Sequence, residues 1–222
     1  MRFNVTPHGL KVSALKFPTA VSDWDLVPKF LQYRKEVFVD RKEWALQVAE
    51  GNEFEQYDTF DTAYVIAHVN REVVGGARLK RTDTTMGQGK IVYSYMIRDA
   101  CRGLLPGMPT DLCYDVPPVD PAAWELTRFA AQAPGVGDAI LRRVNEFLFQ
   151  QGATRCLALG SPAFMRMAAR AGWPVSKLGP LSGNHDGRFL AFECSVMNPA
   201  HVAAQSLRLQ QQPAQGMSGR LH

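Results

Sequence analysis

"AWELTRFAAQAPGVGDAILRRVNEFLFQQGATRCLALG", Ala123 to Gly160, decides the fold of this 222-residue chain. "AWELTRFAA" reads as a strand. The spacing then predicts a helix over Gly137 to Gln151, with Ile140, Val144, Phe147 and Leu148 on one face. Gly152 stands where a C-terminal helix glycine belongs, and "TRCLALG" reads as a short buried strand. Downstream, Ser161 followed by Pro162 makes a capped helix start for "PAFMRMAARA", which stops at Gly172. "RFLAFECSV" is a last strand. Upstream, "TAYVIAHV" and "EVVGGARLK" form a hairpin joined by Asn70–Arg71. Before it, Leu26, Phe30, Tyr33 and Val37 predict a helix over Trp24 to Phe38. Strands first, then strand–helix–strand–helix–strand, argue for one mixed sheet covered by helices, an α/β fold.

Two segments fall outside this pattern. Residues 82–122 are rich in Pro and Gly and read as loop, with a short helix near Tyr95 to Leu104. Residues 201–222 hold few large apolar side chains and read as a disordered tail behind a single domain over 1–200.

Composition excludes several function classes. The chain is 46% hydrophobic and 21% charged, with net charge +4. Its basic residues are spread among acids, so no nucleic-acid face is expected. No apolar run approaches the ~20 residues of a membrane span, and "MRFNVTPHGL" lacks the apolar core of a secretory signal. Cys101, Cys113, Cys156 and Cys194 show no C-x-x-C pairing, so they read as reduced thiols in a cytoplasmic protein. The five histidines show no metal-ligand spacing, and no G-x-S-x-G elbow or phosphate loop occurs.

What remains is a set of charges where charge is expensive. Arg78 lies inside "GGARLK", whose glycines allow a backbone or ligand to come close. Glu125 and Arg128 lie in "WELTRF", and Asp58 and Asp61 bracket Phe60 at the mouth of a strand. Charged groups in apolar strands must be paired or bound. Structural ion pairs would explain any one of them. Taken together with Arg34, acids alternating with arginines suit a zwitterionic ligand. In "YRKEVFVDRKEW", Phe38 and Trp44 add ring faces suited to a ligand cation, or simple core packing. Gln132, Gly135 and Gly137 make Q-x-x-G-x-G between strand and helix. That is either a phosphate site at a helix start or a plain turn.

These residues resemble the acyl-homoserine-lactone (autoinducer) synthases. "YRKEVFVDRKEW" looks like that family's R-x-x-x-F-x-x-x-x-x-W opening, and "EQYDTFDTAYVIA" like its acidic segment. "VVGGARL", "WELTRFA" and "MRMAARAGWP" are similar to three further motifs. The resemblance implies a fold related to the GNAT N-acetyltransferases. It implies two substrates and no cofactor, S-adenosylmethionine and an acyl thioester on CoA or acyl carrier protein. Glu125 would be the base and Asp58 would orient the amine. Arg34, Phe38, Trp44, Glu55, Arg78, Arg128 and Phe129 would bind substrate. Gln132, Gly135 and Gly137 would cradle the donor's pyrophosphate, which favours CoA, and Ser161 and Met165 would border the acyl pocket.

The chain departs from the pattern at Glu55, where an aspartate is usual, and at Thr127, where a serine is usual. The segment between Arg78 and Trp124 is also longer than in most relatives. An ordinary GNAT acetyltransferase and a catalytically idle acyl-CoA or nucleotide binder are the alternatives.

Overall fold

Alternation along the central strands sorts side chains onto two faces, and each face has its own helices. The computed structural model describes residues 7–185 and 187–200, so the predicted tail lies outside the described residues. In chain order the elements begin with β1 (Lys11–Lys16), α1 (Leu26–Arg34) and a π-helix (Lys35–Arg41). Next come β2 (Val48–Ala49), β3 (Asn52–Glu53), β4 (Ala63–Val69) and β5 (Glu72–Arg81). The long connection holds β6 (Met86–Gln88), β7 (Ile91–Tyr93) and α2 (Met96–Cys101). Then follow β8 (Ala123–Ala131), α3 (Pro134–Gln150), β9 (Arg155–Gly160) and α4 (Pro162–Arg170). The last strands are β10 (Val175–Lys177), β11 (Ser182–Asn184) and β12 (Gly187–Ser195).

The main sheet runs β1-β4-β5-β8-β9-β12-β10, with β11 on β12. Only β8 and β9 are parallel neighbours. The mixed sheet is therefore as expected. Asn70 and Arg71, both at positive φ (48° and 67°), make the tight hairpin turn read from the sequence. Edge strand β1 was not legible, and neither were β10 and β11.

One face of the sheet packs Val65, Leu79, Trp124, Leu126 and Phe192 against α3. The opposite face packs Tyr64 and Ile66 against Leu26 and Phe30 of α1. Further along that second face, Ala123, Leu157 and Ala191 meet Ile97 of α2. Ser161 caps α4 as expected, its Oγ accepting from Phe164 N at 3.2 Å.

Two helices differ from expectation. The predicted helix over Trp24 to Phe38 is α-helical only over Leu26–Arg34 and continues as a π-helix to Arg41. Its wider i→i+5 turn changes which side chains share a face. α3 starts at Pro134 rather than Gly137, because proline suits the first helical position.

Gly75 and Gly76 are spaced for the protein's own atoms. A Cβ on Gly76 would lie 2.6 Å from the Phe30 ring and 2.9 Å from Val65 O. One on Gly75 would lie 2.7 Å from Ala130 O and 2.9 Å from Ile140 Cδ1. The pair lets α1 and α3 seat on opposite faces at one point. Gly76→Ala is expected to destabilise the fold by about 1–3 kcal/mol. Thermal denaturation should show this as a midpoint lowered by roughly 2–12 °C.

Candidate active site

The charged strand residues fall on one face for a simple reason. Tyr64, Arg78, Lys80, Glu125 and Thr127 all occupy positions that alternate with the α3-facing core. They therefore lie under α1, the π-helix and α2. Arg128 breaks the alternation. β8 carries one extra residue opposite β5, pairing Gly76 with Ala130 but Arg78 with Thr127. Arg128 takes a left-handed φ of 52° at that bulge. Two consecutive side chains, Thr127 and Arg128, thereby reach the same side.

Three arginines and three carboxylates meet there. Arg34, fully buried, holds Asp58 through Nη1 at 2.7 Å and Nη2 at 3.0 Å, and also donates through Nε to Glu53. Arg78 donates to Asp58 at 3.1 Å, to Glu55 at 2.5 Å and to Thr127 Oγ1 at 3.0 Å. Arg128 reaches Glu53 at 3.1 Å and Glu55 at 2.8 Å. Charge is balanced across the six groups, which is what makes so polar a cluster tolerable in the interior. Asp58 also accepts from Tyr64 OH at 3.0 Å and from Glu55 N at 3.1 Å. Burial would raise the Asp58 carboxyl, but Arg78 and Arg34 hold it well below its ordinary range. Burial opposes Arg78 and Arg128 at Glu55 too, and the arginines again win.

Asp58 and Arg34 both have partners within the protein. With five donors on its two oxygens, Asp58 is an anchor between arginines. Arg34 is likewise committed to protein carboxylates.

The aromatic pair stands at the edge of this cluster. The Phe38 and Trp44 rings stack with centroids 5.0 Å apart at 17°. The end of the π-helix forces this. Glu43 turns left-handed (φ 57°), its N–H returning to Val39 O, and Trp44 N–H reaches Phe38 O at 2.9 Å. These bonds are one residue wider than those closing an α-helix with a left-handed residue, as a π-helix requires. A glycine at position 43 would relieve the left-handed strain. Glu43→Gly is expected to stabilise by about 0.5–1 kcal/mol, read from the urea midpoint. Arg128 lies 6.0 Å from the Phe38 centroid. Lys42 Nζ lies 5.1 Å from Phe38 and 4.8 Å from Trp44.

Glu125 is buried opposite Lys80 and two residues from Thr127. Its Oε2 accepts from Met96 N at 2.9 Å and its Oε1 from Ile97 N at 2.7 Å, at the start of α2. Met96 Sδ in turn lies 4.0 Å from Arg128 Nη1, joining this carboxylate to the arginine cluster. Burial pushes the Glu125 carboxyl up to about 7, against the pull of the two amides and Arg78. A carboxylate held near neutrality is fit to take a proton.

The remaining sequence candidates gather elsewhere. β8 and β9 pair only from Ala123–Arg155 to Leu126–Ala158. Beyond that, at the carboxyl ends of the two parallel strands, Phe129 stacks on Phe164 at 4.7 Å. A Cβ on Gly137 would be 3.5 Å from Phe129 and Met167, so this glycine sits over the same apolar wall. Met165 packs beside the core there. Gln132 is exposed, its N–H bonded to Val74 O. Gly135 and Gly137 lie inside the first turn of α3, not before it. Val136 and Gly137 donate to Ala133 O at 3.1 and 3.2 Å, so part of the amide set read as a cradle serves the helix itself.

Sequence reasoning missed Glu53, which links Arg34 to Arg128. It also missed the α2 amides on Glu125, and Tyr57, which bonds Asp99 at 3.0 Å under Arg78. The alternation Glu53–Phe54–Glu55 was the available signal. Among the described residues no His, Cys, Asp or Glu group is arranged to hold a metal, and no helix is long and apolar enough to cross a membrane.

The Autoinducer synthase family profile matches residues 21–100, the span from α1 through Arg78 to α2. An acyl-homoserine-lactone synthase of Acinetobacter nosocomialis is 31% identical over 169 residues, 70% of this chain and 84% of its own. One of Ralstonia solanacearum is 34% identical over 162 residues, 67% of this chain and 72% of its own. The solved structure of BjaI with MTA, described as a CoA-dependent acyl-homoserine lactone synthase, superposes with a TM-score of 0.73. It is 21% identical over 96% of both chains, a likeness of fold, and that fold is the GNAT-like mixed sheet expected. These likenesses in sequence decide the family: the chain is a member of the autoinducer synthase family, the acyl-homoserine-lactone synthases.

Proposed function

We propose that this protein makes an N-acyl-L-homoserine lactone from S-adenosylmethionine and an acyl thioester. Glu125, directly or through a water, takes a proton from the substrate amine. The amine nitrogen attacks the thioester carbonyl, the C–S bond breaks and the thiol leaves. The methionyl carboxylate then attacks the carbon next to the sulfonium, closing the lactone and releasing methylthioadenosine. Negative carboxylate and positive sulfonium are neutralised together, so this second step needs no proton.

The observation that carries this reading is Glu125, bonded by the amides of Met96 and Ile97, raised to about 7 and joined through Met96 to the arginine–carboxylate cluster. Arg34 and Asp58 fix the floor of the amino-acid site. Arg78, Arg128 and Glu55 meet the zwitterion by exchanging partners, and Phe38 and Trp44 face the sulfonium. Phe129 and Met165, with Ser161 at the start of α4, border the acyl chain where β8 and β9 part.

We favour acyl-CoA as the donor. The start of the 17-residue helix α3, beside exposed Gln132, is suited to a pyrophosphate, which only a CoA donor brings. BjaI and MesI, both described as CoA-dependent, share the fold. A single domain over 1–200 working in the cytoplasm belongs to the same proposal. The test is thiol release from short, branched and aromatic acyl-CoAs in the presence of S-adenosylmethionine, beside acyl carrier protein thioesters. Turnover with a CoA donor and inhibition by free CoA are expected. Turnover only on acyl carrier protein would overturn the donor assignment.

A further inference from the structure

The ring faces assigned to the sulfonium already hold a cation of the protein's own. Lys42 Nζ lies 5.1 Å from the Phe38 centroid and 4.8 Å from that of Trp44. Burial against the rings pushes its ammonium down from the ordinary lysine value. Among the described residues no carboxylate lies within ion-pair distance of it, whereas neighbouring Lys35 pairs with Asp40 at 3.0 Å and Arg41 with Glu36 at 3.8 Å. The rings' quadrupoles hold Lys42 where no carboxylate among the described residues pairs with it. Trp44 is stacked on Phe38, and a second protein cation, Arg128, lies 6.0 Å from the Phe38 centroid. Arg128 cannot leave the ring, because buried Glu53 holds it even where Glu55 turns to the substrate. Lys42 can, being exposed at the end of the π-helix on a long flexible stem.

We propose that Lys42 is a resident competitor for the sulfonium, which must displace its ammonium from the Phe38–Trp44 pair to bind. This rests on the reading of the rings as the sulfonium site. A third cation beside Lys42 and Arg128 would add repulsion at this ring pair, so S-adenosylmethionine enters by exchange with the one that no carboxylate among the described residues holds. Once the lactone closes, the sulfonium has become a neutral thioether that gains little from the ring quadrupole. The ammonium then regains its place, and methylthioadenosine is held less firmly than the substrate was. Lys42 thus acts as a specificity-determining residue that sets the balance between substrate and product.

Calorimetric titration of the wild type, Lys42→Ala and Lys42→Arg with S-adenosylmethionine and with methylthioadenosine tests this. Lys42→Ala should bind S-adenosylmethionine about 3- to 10-fold more tightly. Its affinity for methylthioadenosine should change less than about twofold, because that ligand carries no charge to compete. Lys42→Arg, which keeps a cation over the rings, should resemble the wild type. Unchanged or weaker S-adenosylmethionine binding by Lys42→Ala, or an equal change for both ligands, would overturn the proposal. Wild-type protein that binds neither ligand would instead overturn the functional reading beneath it.

Discussion

Glu125→Gln is expected to lower kcat by about 10²–10⁴-fold, the usual contribution of a positioned general base. The wild-type rate should carry the signature of the same group. The base works only when ionised, and its carboxyl is raised to about 7. Rate should therefore climb about tenfold per pH unit below that value and level off above it. The glutamine variant should lose this limb altogether. Stability follows the opposite sense. A carboxyl raised above its unfolded value of 4.5 favours folding in its protonated form, so its contribution is complete below that pH and is lost as pH rises through about 7. Glutamine also offers one acceptor oxygen to the two amides of Met96 and Ile97, which costs about 1–3 kcal/mol. A purely structural role for Glu125 would move the melting temperature and leave the pH limb of the residual rate in place. A catalytic role removes the limb.

Arg34→Ala is expected to destabilise the protein by about 3–5 kcal/mol. Arg34 is fully buried, and its removal leaves Glu53 and Asp58 without their shared guanidinium. In thermal denaturation the midpoint should fall by roughly 6–20 °C. The pH dependence identifies the cause. Asp58 is held well below its ordinary value, chiefly by Arg78 and Arg34 acting against burial. Its stabilisation is thus present above about pH 4 and disappears as pH falls through the depressed value. In the variant, stability should depend less steeply on acid pH. An unchanged melting temperature would mean that Arg34 contributes nothing net to the fold.

The parts of this fold that were legible are those specified locally. The Asn70–Arg71 hairpin, the amphipathic body of α3 and the Ser161 cap each depend on a few adjacent residues, and the structure has them. What stayed hidden depends on partners far along the chain. Glu53 is fully buried while its neighbour Phe54 is 48% exposed, the reverse of what either side chain prefers alone. The inversion makes sense only once Arg34 and Arg128 arrive from two other elements. Arg128 was legible as a charge in a strand, but the bulge that turns it beside Thr127 was not. The π-helix was hidden for a related reason. Its residues fit an ordinary helical pattern, and the wider turn shows only in the backbone bonds. The glycines of "GGARLK" were legible as places where a backbone or a ligand comes close, but which one could not be told until Ala130 O and the Phe30 ring were seen to take the room.

The most direct measurement is of the products. Purified protein, S-adenosylmethionine labelled in its homoserine portion, and a panel of acyl-CoAs and acyl carrier protein thioesters would be incubated together and followed by mass spectrometry. The account predicts labelled acyl-homoserine lactone and methylthioadenosine rising in equal amounts, with both lost in Glu125→Gln. Acylation of a different amine, or no lactone from either class of donor, would contradict it.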